Sequence, residues 1–111
     1  MPSTPSTLSA TYLATAGEAM EVVERAADNF VPEGYRFGTA VRAASALTVV
    51  VRSAPRANSG PDCVMTWAFT PLRQAQQVVV AVGLSNCGLG GPDAANRTFG
   101  ELSRRFRQLN G

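Results

Sequence analysis

From Leu8 onward the apolar positions Leu8, Tyr12, Ala16, Met20, Val23, Ala27 and Phe30 recur at intervals of three and four, which sets them along one face of a helix. Two starts fit this stripe. Ser6 or Thr7 can cap a long helix, whereas Thr15-Ala16-Gly17-Glu18 matches a capping box and opens a shorter helix at Ala16. Pro32 and Gly34 end either one. The period then changes: Tyr35, Phe37, Thr39, Val41 and Ala43 alternate with Arg36, Gly38, Ala40 and Arg42, predicting a half-exposed strand with its arginines on the far side. A helical turn over Ala40 to Leu47 is the competing reading of its end.

Leu47-Thr48-Val49-Val50-Val51-Arg52 is short and β-branched, a second strand that stops at Pro55. Arg56 to Asp62 has loop composition, with a tight turn near Ser59-Gly60-Pro61. In Cys63 to Phe69 the residues Cys63, Met65, Trp67 and Phe69 share one side, predicting a third strand whose aromatic face is the core face. Gln76 to Leu84 predicts a fourth strand that is apolar on both faces, hence central or helix-covered. Its apolar run is far too short to span a bilayer. After the break at Gly88 to Pro92, with Pro92 placed for the first helical position, Ala95, Phe99, Leu102, Phe106 and Leu109 predict an amphipathic closing helix. Arg104, Arg105 and Arg107 fall in its final turns, where they complement the helix dipole.

Helix, three to four antiparallel strands, helix: the economical packing is a two-layer α+β sandwich with both helices on one face of a meander sheet. Met20, Val23, Phe30, Trp67, Phe69, Phe99, Leu102 and Phe106 are the expected core. Pro2 to Thr7 reads as a flexible lead-in of residues 1–7, and residues 8–111 as a single domain. At 111 residues, 45% apolar and 16% charged, the chain can bury enough surface to offset ordering entropy.

Composition narrows the chemistry. The chain has no His, and all ten of its positive charges are Arg, so imidazole-based triads, imidazole zinc sites, Schiff-base lysines and P-loop lysines are excluded. A lysine-free chain also points toward a GC-rich, bacterial genome. Charge is uneven: residues 1–34 carry five carboxylates against Arg25, and residues 35–111 carry nine Arg against Asp62, Asp93 and Glu101. Two terminal helices attracting each other account for this without a ligand.

Cys63 and Cys87 are the only cysteines. In a hairpin turning about Leu72 to Gln77, paired positions centred on Ala75 bring them together at its open end. A disulfide there closes a 25-residue loop worth roughly 3.5 kcal/mol in the chain-entropy description. Two buried inert thiols or a redox pair are the alternatives, the last disfavoured by the absence of Cys-x-x-Cys spacing and of any Lys or His to lower a thiol pKa. The disulfide, with the Ser/Thr/Pro lead-in, favours a periplasmic or extracellular domain, either free as a mature exported protein or held by a lipid anchor through a segment upstream of the chain; no signal peptide is visible in it.

Other motifs are weak. Gly88-Leu89-Gly90-Gly91 before a helix lacks the dinucleotide spacing and reads as turn chemistry. The carboxylates fall on a wet helix face or in turns, and Asn96-Arg97-Thr98 is an accidental glycosylation pattern. No catalytic, cofactor-binding or metal-ligating set emerges. Arg36, Arg42, Arg52, Arg104, Arg105 and Arg107 form the candidate interaction surface. The expected function is that of a non-enzymatic, exported cell-envelope domain acting in protein binding or assembly, its partner another envelope protein or a second copy docking on open sheet surface. The alternative is a cytosolic regulatory or nucleic-acid-binding protein that uses the arginine-rich C-terminal helix, with Phe99 and Phe106 interleaved.

Overall fold

The computed structural model describes residues 7–53, 62–73 and 76–109. Seven elements follow in order: β1 (Thr7–Leu13), α1 (Ala16–Asn29), β2 (Tyr35–Arg42), β3 (Ala46–Ser53), β4 (Cys63–Pro71), β5 (Gln77–Ser85) and α2 (Gly90–Arg105). The strands form one sheet ordered β1-β5-β4-β3-β2, antiparallel throughout. The fold is α+β, as expected, with one strand more than the three to four read from the sequence. The lead-in through Ser6 and the loop between β3 and β4, including Pro55, lie outside the described residues.

The extra strand is β1. Leu8 and Tyr12 are four apart, a spacing that shares a face both in a helix and in a strand, so the stripe alone could not separate the two. Ser9 and Thr11 decide it, because the alternation of Leu8, Ala10 and Tyr12 lets the segment pair along its whole length with β5. The helix therefore starts at the second of its two candidate caps. The Thr15 hydroxyl accepts from the Glu18 amide at 3.1 Å, and the Glu18 carboxylate accepts from the Thr15 amide at 2.9 Å.

Both helices pack on one face of the sheet. Val23 from α1 and Leu102 from α2 meet Leu47, Val49, Met65, Trp67, Phe69, Val78, Val80 and Val82 in one buried cluster. Trp67 and Phe99 stack with ring centroids 5.3 Å apart and planes inclined by 53°. Tyr12, 1% exposed, donates its hydroxyl to the Phe99 carbonyl at 3.2 Å and shares a hydrogen bond with Ser103, tying β1 to α2. Met20, Val23, Trp67, Phe69 and Leu102 are buried as expected; Phe99 and Phe106 pack partly buried against them. Phe30 differs, being half-exposed at a groove.

Two boundaries differ from the pattern. The closing helix begins at Gly90, so Pro92 is its third residue; the amide it lacks is one that has no intrahelical partner in any helix. It ends at Arg105 rather than near Leu109. Phe106 turns extended, Leu13 then donates to the Arg107 carbonyl and Leu109 donates to Thr11, both at 2.9 Å. Pairing with the free edge of β1 satisfies backbone groups on both segments, and Arg107 leaves the helix terminus it was expected to complement.

In β2 the register slips by one residue between Phe37 and Thr39. A Cβ on Gly38 would stand 2.6 Å from the Val50 carbonyl oxygen, so the bulge requires glycine. Beyond it the pleat is inverted. Ala40 and Arg42 take the helix side, and Val41, expected inside, is 61% exposed.

Candidate functional site

Three features stand out once the fold is in place: a cystine, a groove between the helices, and a sheet face that no described element covers.

Cys63 opens β4 and Cys87 lies just beyond β5; the two form a disulfide with Cα atoms 4.5 Å apart. The hairpin register differs by one from the expected one. Val64 pairs with Ser85, which sets Asn86, not Cys87, opposite Cys63. Asn86 adopts a positive φ of 60°, a conformation asparagine tolerates, and this bend carries Cys87 back to the bond. Both sulfur residues are buried. The neighbourhood is tightly built: a Cβ on Gly91 would fall 2.6 Å from Cys87 Cβ, and the Tyr35 hydroxyl donates to the Asn86 carbonyl at 2.9 Å. Gly88, at a φ of 64°, thus serves the turn and Gly91 the close approach of α2 to the cystine, while Gly90, whose Cβ would stand 2.9 Å from the Glu33 amide nitrogen, lets α2 start against the segment before β2.

The groove between α1 and α2 has a volume of about 440 Å³. Val22, Ala26, Phe30 and Phe106 supply its apolar floor, and Glu18, Glu21, Arg25, Glu101 and Arg105 its rim. The rim charges are matched locally. Glu21 pairs with Arg25 at 2.7 Å, and Glu101 holds both Arg104 at 3.0 Å and Arg105 at 3.7 Å. Among the described residues, the ion pairs of α2 lie within α2, with Asp93 and Arg97 as a further pair. The expected attraction between the two helices is therefore expressed mainly inside each of them. Among the described residues, the one ion pair between separate elements joins Glu24 of α1 to Arg42 of β2, and the Gly38 bulge made it possible by turning Arg42 to the helix side.

The six arginines singled out in the sequence consequently do not share a surface. Arg42 braces β2 against α1, Arg104 and Arg105 fold back on Glu101, and Arg107 sits on the tail beside β1. Only Arg36 and Arg52 face each other, as cross-strand partners on the open side, with the Arg52 side chain lying over Gly38. In the glycosylation pattern, Thr98 is buried, its hydroxyl donating to the Ala94 carbonyl at 3.0 Å.

The uncovered face was legible in the sequence only as strand positions opposite the core. On β4 it presents Val64, Thr66, Ala68 and Thr70; on β5, Gln77, Val79, Ala81, Gly83 and Ser85. Ala46, Thr48 and Val50 continue it on β3, Ser9, Thr11 and Leu13 on β1, and Thr39 and Val41 on β2. Apart from Arg36 and Arg52 at one corner, no outward position of the described strands is charged. The helix layer, by contrast, carries Glu18, Glu21, Glu24, Arg25, Asp28, Asp93, Arg97, Glu101, Arg104 and Arg105. The sheet edges are guarded differently: the tail bridges Tyr12 at β1, and the bulge interrupts β2. No helix among the described residues is long and apolar enough to cross a membrane. Set beside known proteins, the chain matches no family model and no curated sequence.

Proposed function

We propose that this chain is a non-enzymatic, exported bacterial domain that acts in protein binding or assembly at the cell envelope, and that it binds through the uncovered sheet face. The observation that carries the reading is that, apart from Arg36 and Arg52 at one corner, the described outward positions of that face carry no charge. A sheet surface left in water ordinarily bears charged side chains, and one that lacks them can be buried against another protein without desolvating ions. The cystine supports the address, since disulfides persist in oxidising compartments. The nucleic-acid alternative draws less support: Arg97, Arg104 and Arg105 are engaged by carboxylates of their own helix, and Phe99 is committed to Trp67.

The test is a tagged chromosomal copy in the source organism, fractionated and treated with a thiol-alkylating reagent before lysis. The expected outcome is recovery with the envelope or the medium and no alkylated cysteine. Recovery in the cytosol with two alkylated thiols would remove both the address and the job.

A further inference from the structure

We infer that the occupant of the uncovered sheet face is the same face of a second copy of this chain, giving a two-fold symmetric dimer with the helices outermost. The inference rests on the reading of that face as a protein-binding surface and goes one step further in naming what binds.

Charge is the first argument. Away from the Arg36–Arg52 corner the face carries no charge, so it offers an oppositely charged partner little to select, and two such faces meet without repulsion when those corners lie at the rim of the contact, while the helix layers of both copies keep their ions in water. Shape is the second. Ser9, Ala81, Ala68 and Ala46 are successive register partners, so a row of small side chains crosses the sheet from β1 to β3. On one side of it Thr66, Thr48 and Val41 run from β4 to β2, with Gly83 leaving that row low on β5, and on the other Thr11, Val79 and Thr70 run from β1 to β4. Facing sheets interdigitate, and a low row between two β-branched rows accepts the corresponding ridge of an identical sheet related by a two-fold axis. Area is the third. Five strands about 4.8 Å apart and about seven residues long, at about 3.3 Å each, outline roughly 550 Å² per copy. Two copies together clear the roughly 1,000 Å² that a specific interface needs. The edges offer less, because the tail occupies half of β1 and the Gly38 bulge breaks the regular edge of β2.

Sedimentation velocity of the purified chain, from low to high micromolar concentration, tests this. The expected result is a species of twice the chain mass in the unmodified protein. Ala68→Arg, at an exposed central position, weakens it by more than about a hundredfold, because a two-fold axis brings two like charges into the interface. Thr66→Lys, a milder change at a neighbouring exposed site, acts the same way and guards against misfolding of the first variant, with circular dichroism as the check. Arg97→Glu on the outer side of α2 leaves the mass unchanged. A monomer at every concentration overturns the inference, as does a dimer that survives both face variants. If the monomer's Thr66 position, carrying a photo-crosslinker, instead captures a different envelope protein, the second copy is overturned while the protein-binding reading stands. With neither dimer nor crosslink, both fall.

Discussion

The two faces of the sheet are built from the same strands, residue by residue in alternation, yet they follow opposite rules. The helix side carries Trp67, Phe69, Leu47 and the valines of β3 and β5, all sealed from water, while the opposite side carries threonine, alanine and valine with almost no charge. Volume is concentrated on one face and neutrality on the other. The covered face explains why the chain folds; the bare face is what remains to explain why it exists. Neighbouring residues on one strand can therefore be used to separate stability from association.

The sharpest break of this comparison is Trp67 against Thr66. Trp67→Ala removes the largest fully buried side chain and the partner of Phe99, and is expected to cost about 3–5 kcal/mol in urea unfolding. Thr66→Ala, one residue away and exposed, is expected to change stability by no more than about 0.5 kcal/mol. Equal losses at the two positions would mean that the bare face is part of the monomer's core after all. Next in size is the cystine. Replacing Cys63 and Cys87 together with Ala is expected to lower unfolding free energy by roughly 3.5 kcal/mol, since the 24-residue separation sets the loop released in the unfolded chain. A loss below about 1 kcal/mol would show that the packing around Gly91 and Tyr35 holds that corner without the bond.

The smallest effect concerns Tyr12, whose phenol is held above its ordinary pKa by burial, a rise only partly offset by its hydrogen bond with Ser103. The raised value means that the folded chain keeps its proton where the unfolded chain gives it up. The contribution is intact below about pH 10 and is lost as pH climbs from there through the folded-state value. Tyr12→Phe is expected to cost about 1 kcal/mol at neutral pH, through loss of the bonds to Phe99 and Ser103, and to flatten the decline in stability above pH 10. An identical alkaline decline in both proteins would place the titrating group elsewhere.

How much of this the sequence disclosed depends on whether one residue could speak for its own neighbourhood. The core side of β4 was plain, because Cys63, Met65, Trp67 and Phe69 alternate without interruption. The juxtaposition of Cys63 and Cys87 was equally readable, to within the one residue that Asn86 absorbs. β1 was hidden by a four-residue spacing common to helix and strand. The side taken by Arg42 was hidden by a bulge whose cause, the nearness of Gly38 to the Val50 carbonyl, is tertiary. The groove needs Phe30 and Phe106, which are remote in sequence and meet only because both helices lie on one face. The neutral face was present throughout as the polar half of each strand pattern, but a missing charge carries no local signal. It becomes visible only when five strands are laid side by side.

The covalent bond between Cys63 and Cys87 has one more consequence, for survival among proteases. The hairpin tip between β4 and β5, where Leu72 is 40% exposed, lies inside the ring that this bond closes. A single cut there adds one water to the chain and leaves both fragments in one molecule, their strands still hydrogen-bonded, until a reductant separates them. Outside the cell, a nick at this tip would be a scar and not a loss.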